Sequence, residues 1–525
     1  MNGAYRDLAG QSVMLSFTGT RVTRELVGAL ERTRAGGVIL FARNIGSPAE
    51  LYALTGALQE QAAMLRLPPL LIGIDQEGGP VTRLRPPFAT VPSQMAQAAS
   101  ADPAAAYHCA VLTGRQLRAF GINLNFAPVL DVNCNPDNPV IGTRAFSEDA
   151  AAVTRLGLEA LRGYREAGVV ATGKHFPGHG DTALDSHLGL PVMRHPCGRL
   201  DEMELAPFVA AFRAGLPAVM TAHIVFEVLD ALPATLSRSI LTELLRDELQ
   251  FDGVVFTDAL DMQAISGRYG AVEAGLRSKA AGADVLLPLG SLDEQVAVVE
   301  ALQSAITDGS LSRSVFEATA RRLDALREAY GVDYTLPPFS EPGAEEYAEA
   351  LEVGRRSVTV TRGAAALPLA KGSRVVLIDC MLPRFSQAEE ALERSELLRD
   401  LVGAAFPRAT SLALGPELAD EEVVSARAMA ETCDATLLVT RNAYLIERQA
   451  RLARTLAASG VPLIHAAVRN PYDAAVVPDS TATLLTYGDP EVSLQALVEV
   501  LGGDVPAQGV LPVSLGLLDR KEGTA

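Results

Sequence analysis

The stretch GVVFTDALDM at 253–262 decides how this chain folds. Its core, Val254 to Thr257, is apolar or β-branched at consecutive positions, so neither side of a strand there is reserved for water. The run stops at a carboxylate, Asp258, and a helix-forming segment follows. Working outward, seven more runs share this character: VMLSF (13–17), GVILF (37–41), LLIGI (70–74), NLNFAPVL (123–130), GVVATG (168–173), PAVMTA (217–222) and ADVLLP (283–288). Between them lie Ala-, Leu-, Arg- and Glu-rich segments such as 104–120 and 150–167, which read as helices. Eight buried strands alternating with helices predict an α/β fold of the (β/α)8 TIM-barrel type. A doubly wound open sheet gives the same local pattern and is the structural alternative.

The strand ends carry the chemistry. Asp75, Asp131, Lys174 with His175, His223 and Asp258 each fall at or just after the end of a run. In a barrel those ends meet on one face, where active sites lie. A turn or cap explains any one of these residues. Their recurrence on five different strands points to a site.

Beyond a long helix at 313–330, TLPPFSEPGAEE (335–346) reads as a linker because of its prolines, glycine and acids. Strand and helix patterns then resume with SVTV (357–360), RVVLID (374–379), ATLLVT (435–440), VPLIHAAV (461–468) and ATLLTY (482–487). The expected organisation is a barrel at 1–333, a linker at 334–346 and a C-terminal α/β sandwich at 347–525. That last domain reads as structural or oligomerising, and the sequence does not fix the oligomeric state.

Composition narrows the partners. The chain has 525 residues, 45 Lys and Arg against 63 Asp and Glu, and a net charge of −18. Such an acidic surface repels phosphate backbones, which argues against nucleic acid. Five widely spaced cysteines without a CxxC argue against a disulfide framework or a zinc ribbon. No basic–apolar leader opens the chain and no apolar run reaches the roughly 18 residues of a membrane span, so the expected address is the cytoplasm and no membrane partner is expected. Lysine occurs only at 174, 279, 371 and 521, which makes Lys174 less easily dismissed as generic surface.

The segment GKHFPGHGDTALDSHLGLP (173–191) holds three of the seven histidines, His175, His179 and His187, with Lys174, Asp181 and Asp185. His175 and His179 have the spacing of a helical zinc pair, but Pro177 and two glycines break a helix there, and no metal is expected. Asp185 stands two residues before His187. A carboxylate so placed orients an imidazole for proton transfer, while a plain surface turn has the same spacing. Asp258 likewise reads as a covalent nucleophile or as the cap of the following helix.

KHFPGHGDTALDSHLGLP resembles the signature of family 3 glycoside hydrolases, in their β-N-acetylglucosaminidase branch. The resemblance extends to IDQEGGPVTRL (74–84), VIGTRAF (140–146), MTAHIVF (220–226) and VVFTDALDM (254–262), in the family's order along the barrel. It implies that Asp258 is the nucleophile of a retaining mechanism, His187 the general acid/base and Asp185 its partner. It also implies sugar-binding roles for Asp75, Arg83, Arg144, Lys174 and His175. One departure is Pro80, where the family often has Arg; it bears on local loop shape.

The implied activity is hydrolysis of terminal β-linked N-acetylglucosamine from muropeptide or chitooligosaccharide fragments, without metal or organic cofactor. An imidazole in place of the usual second carboxylate does not repel an anion, so inorganic phosphate is a conceivable acceptor beside water. A β-N-acetylglucosaminide phosphorylase and a β-glucosidase are therefore the alternatives within sugar chemistry. A non-catalytic carbohydrate-binding protein is the alternative outside it.

Overall fold

The computed structural model describes residues 2–186, 188–382, 386, 388–389 and 396–516. Eight parallel strands form the first sheet: β1 (Met14–Leu15), β2 (Gly37–Leu40), β3 (Leu71–Ile74), β4 (Leu124–Asn125), β5 (Val170–Phe176), β6 (Ala218–Thr221), β7 (Val254–Ala259) and β8 (Val285–Leu287). They pair in chain order, and a parallel bridge from Val13 to Leu286 closes the ring. An open doubly wound sheet would reverse its order at a switch point, so the barrel is the fold. All eight runs read as strands are strands.

Each strand is apolar on both faces because each face has a different core. Met14, Ile39, Leu71, Leu124, Val170, Met220, Phe256 and Val285 cluster inside the barrel. Their neighbours Leu15, Val38, Leu40, Ile72, Ala171, Val219, Val255 and Leu286 pack outward among the helices. Phe126 and Phe256 meet edge-on inside, with centroids 5.5 Å apart. Gly73 shows how full the interior is: a Cβ there would lie 3.0 Å from the Phe126 ring and 3.1 Å from Met14 Cε. The outer helices follow the same logic. Ala150–Glu166 starts where Asp149 accepts hydrogen bonds from the Ala151 and Ala152 amides, and it buries Val153, Leu156, Ala160, Leu161 and Tyr164 at three- and four-residue spacing.

The Pro-rich segment is strapped to the barrel. Tyr52 Oη donates to the Pro337 carbonyl at 2.7 Å, and Phe339 packs edge-on against Tyr52 and Phe120. A helix begins at Ala344 and ends at Ser357. The second sheet contains β9 (Thr359–Arg362), β10 (Val375–Cys380), β11 (Thr410–Leu414), β12 (Ala435–Thr440), β13 (Leu463–Ala467) and β14 (Ala482–Leu485). Its order is β9-β14-β13-β12-β10-β11, with only the β9–β14 pair antiparallel. The sequence reading missed β11, an edge strand whose residues are mostly exposed and lack a buried run. Helices cover this sheet too, as expected of an α/β sandwich.

The two halves share core. Met95, Ala96 and Ala99 of the barrel half pack with Ala467, Tyr472, Leu485, Tyr487 and Val513. Ser93 Oγ donates to the Tyr487 carbonyl at 2.6 Å, and Asn133 Nδ2 to Tyr472 Oη at 3.0 Å. Among the described residues no helix is long and apolar enough to cross a membrane.

Candidate active site

The C-terminal ends of the barrel strands surround a cavity of about 110 Å³. Asp75 follows β3, and an antiparallel hairpin (Gln76–Gly78 with Val81–Thr82) then brings Glu77 and Arg83 back over the rim. Arg144 comes from a short turn of helix at Gly142–Arg144. Lys174 and His175 lie on β5, and Asp258 lies on β7. All seven line the cavity, together with Phe41, His179, Ser186 and Ala388. The five residues expected to bind sugar are thus brought together with Asp258.

Buried ion pairs fix the cations. Lys174 Nζ lies 2.7 Å from both Asp75 Oδ1 and Glu77 Oε1. Arg144 grips Glu77 with two parallel bonds of 2.8 Å. Burial pushes the Glu77 carboxyl up, but the Arg144 guanidinium and the Lys174 ammonium outweigh it and hold the group well below the carboxylate range. Burial works against the Lys174 charge, and Asp75 and Glu77 more than restore it, so its pKa is raised. Arg83 Nη2 stands 3.7 Å from Asp75 Oδ2. The lining carries three cations (Arg83, Arg144, Lys174) against three carboxylates (Asp75, Glu77, Asp258). A charge-balanced pocket dense in fixed donors and acceptors suits a neutral, hydroxyl-rich ligand.

His175 is held from both sides. Its Nδ1 lies 2.7 Å from Asp131 Oδ2, and its Nε2 lies 3.3 Å from Arg144 Nη2. Arginine only donates, so Nε2 accepts and Nδ1 carries the proton toward Asp131. Asp131, fully buried, also accepts from the His175 and His179 amides. It braces the site from beneath and is absent from the cavity lining. His179 touches Thr182 Oγ1 at 3.0 Å and Ser186 Oγ at 3.3 Å. Burial lowers its pKa to about 4, so it is neutral in the physiological range. The two histidines bind these partners on a strand and a turn, in a geometry unlike a helical zinc pair.

Asp258 is partly exposed on the cavity wall. Its Oδ1 accepts from the Ala259 amide at 2.8 Å. His223, the fourth strand-end position, stays outside the cavity and donates from Nε2 to the Ala259 carbonyl at 2.9 Å, fixing the peptide beside Asp258. Asp185 is buried in the loop after β5. Ser186 lines the cavity, and its carbonyl accepts from the Ala264 amide at 3.1 Å, six residues beyond Asp258. His187 lies outside the described residues.

Glu77 and Ala388 carry no expectation from the sequence, and His179 was weighed there only as a metal ligand beside His175. Glu77 sits inside the quoted IDQEGGPVTRL, and His179 inside the histidine-rich motif, so position in those motifs was the available signal. Ala388 has no sequence signal. It belongs to the C-terminal half, and its carbonyl accepts from Arg83 Nη1 at 3.1 Å, so that half reaches the cavity. Among the described residues one group has metal-ligand geometry, Cys134, Asp181 and Glu204. Arg199 Nη2 already lies within 3.1 to 3.4 Å of all three. A larger cavity of about 680 Å³ opens at the N-terminal end of the barrel, lined by residues such as Arg165, Asp252 and Arg322. It holds neither histidine nor cysteine, and that end of a barrel serves stability.

A closed parallel barrel with charged groups from several strands gathered at its C-terminal rim is the build of a barrel enzyme. The chain belongs to glycoside hydrolase family 3: the glycosyl hydrolase family 3 N-terminal domain matches residues 6–326. It is a glycoside hydrolase. A β-hexosaminidase A of Pseudoalteromonas piscicida is 42% identical over 286 residues, which cover 51% of this chain and 48% of that protein, so the chain spans about half of that relative. A β-hexosaminidase of Thiobacillus denitrificans is 41% identical over 281 residues, 52% of this chain and 77% of the relative. The solved family 3 β-N-acetylglucosaminidase of Paenibacillus sp. str. FPU-7 is 39% identical with a TM-score of 0.93, covering 97% of this chain and 98% of that one. That last match takes in both halves of the molecule.

Proposed function

We propose that the protein is a retaining exo-β-N-acetylglucosaminidase acting on terminal β-linked N-acetylglucosamine of muropeptide or chitooligosaccharide fragments. The catalytic unit is taken as 1–333, joined by 334–346 to the domain at 347–525. Asp258 attacks the anomeric carbon while His187, oriented by Asp185, protonates the departing oxygen. His187 then takes a proton from water, which attacks the anomeric carbon and releases Asp258. Asp75, Arg83, Arg144, Lys174 and His175 hold the sugar.

One observation carries this reading. Asp258 and Ser186, the neighbour of His187 in sequence, line the same cavity as the five sugar-binding candidates. Support for the substrate comes from the β-hexosaminidases and the β-N-acetylglucosaminidase to which the chain is similar.

The test is turnover of 4-nitrophenyl N-acetyl-β-glucosaminide against the glucoside, each with and without phosphate. Faster release from the N-acetyl substrate, giving free sugar, supports the proposal. Preference for the glucoside, or release of a sugar 1-phosphate, assigns one of the alternatives. Binding of N-acetylglucosamine without any turnover assigns a non-catalytic carbohydrate-binding protein.

A further inference from the structure

Asp181 opens the loop that carries Asp185 and His187, and the site described above gives it no task. Its Oδ2 lies 2.6 Å from His195 Nε2 and accepts from Arg199 Nη2 at 3.1 Å. The same Nη2 reaches Glu204 Oε1 at 3.2 Å and Cys134 Sγ at 3.4 Å. Three groups able to hold a divalent ion therefore converge on one guanidinium nitrogen. The remaining Glu204 oxygen is buried without a hydrogen-bond partner. Arg199 is the cation that makes this acidic cluster tolerable, and it comes from outside the loop.

The loop root is fixed from other directions as well. Asn138 Nδ2 donates to the His179 and Gly180 carbonyls at 2.7 and 2.9 Å. Gly180 lies so close to the previous strand's extension that a Cβ would fall 1.6 Å from the Val132 carbonyl oxygen. At the far end, the Ser186 carbonyl is held by the Ala264 amide. The segment bearing Asp185 is thus strung between a clamp at Asp181 and a dock just past Asp258.

We propose that Arg199 is a positioning residue for acid/base catalysis: by gripping Asp181 it sets the course of residues 182–186 beside the cavity that Asp258 lines, and through them the group that follows in sequence at 187. This rests on the proposed function. Arginine suits the task because its charge is permanent, so it balances the Asp181 and Glu204 carboxylates at any working pH. Slackening the clamp leaves Asp258 untouched and displaces the group that moves protons. Loss of leaving-group protonation slows alkyl glycosides most, because a 2,4-dinitrophenolate departs without a proton. Loss of the base slows attack by water. Azide needs no base: its nitrogen bonds to the anomeric carbon as the bond to Asp258 breaks, and that electron pair returns to the carboxylate.

The test compares Arg199→Met, Arg199→Lys and Asp181→Asn with the unaltered enzyme. Methyl and 2,4-dinitrophenyl N-acetyl-β-glucosaminides are the substrates, with and without azide, and His187→Ala is the reference. Arg199→Met is expected to lose about tenfold or more in kcat on the methyl glycoside, with KM changed by less than about threefold. Azide should speed its turnover of the dinitrophenyl substrate and yield the glycosyl azide, and Arg199→Lys should recover part of the loss. If Arg199→Met does not fold, Asp181→Asn and Arg199→Lys carry the same comparison. Unchanged kcat, or an equal loss on both substrates with no azide effect, overturns the proposal. Failure of the underlying reading looks different: no turnover by the unaltered enzyme, or no azide effect in His187→Ala.

Discussion

Glu77 anchors two cations of the cavity at once, and its loss is the most informative single change. Glu77→Gln keeps the shape and removes the charge that Arg144 and Lys174 share. Breaking a buried pair from one side costs about 3–5 kcal/mol, which urea unfolding at neutral pH reads directly. The pH sign follows from the depressed carboxyl. Its contribution is complete above the unfolded carboxylate pKa of roughly 4.3 and is lost as pH falls further, so the gap between wild type and Glu77→Gln should close in acid. For catalysis, Asp258→Ala should remove roughly 10³-fold or more of kcat in the 4-nitrophenyl assay with the fold intact. These two acids differ in how they could be found. Asp258 was legible because it ends an apolar run. Glu77 reads as an ordinary acid in a glycine-rich turn, and the partners that bury it stand 67 and 97 residues later, at 144 and 174.

At the scale of elements, the barrel strands were readable because both of their faces are apolar, which no surface element imitates. Phe256, on the inner face of β7, should cost about 3–5 kcal/mol as Ala, since it leaves a hole against Phe126. The ladders that aim Glu77 and Arg83, and the pairing of Val192–Met193 with Val225–Phe226, are only two or three residues long and leave no period to detect. Strand β11 hid for a different reason, since an edge strand facing water needs no apolar run. The histidine-rich loop was legible as constrained, yet the partners of the constraint were not. Gly180→Ala must push the loop root off Val132, so it should reduce kcat sharply and lower the melting temperature together.

Across the whole molecule, the second half does more than follow the first. Ser93 and Tyr487 are 394 residues apart and bonded, and no pattern in the sequence announces such a contact. The same seam contains Asp473, buried beneath Tyr444, whose hydroxyl donates to the Pro136 carbonyl of the barrel half. Burial raises the Asp473 carboxyl to about 6, against the weaker pull of its hydrogen bonds from Thr440 and nearby amides. A raised carboxyl keeps its proton in the fold after the unfolded chain has lost it. The contribution of Asp473 to stability therefore falls as pH rises from roughly 4 to 6, by on the order of 3 kcal/mol, and stays lower above. Asp473→Asn should gain on wild type through that window in urea unfolding, and no gain would refute the account of this seam. The central claim, that Asp258 and His187 act on one sugar, has a more direct test. His187→Ala is mixed with 2,4-dinitrophenyl N-acetyl-β-glucosaminide, quenched and mapped by peptide mass spectrometry. The account predicts a trapped N-acetylglucosaminyl ester on Asp258 that azide discharges; an ester on another carboxylate, or none beside undiminished turnover, would contradict it.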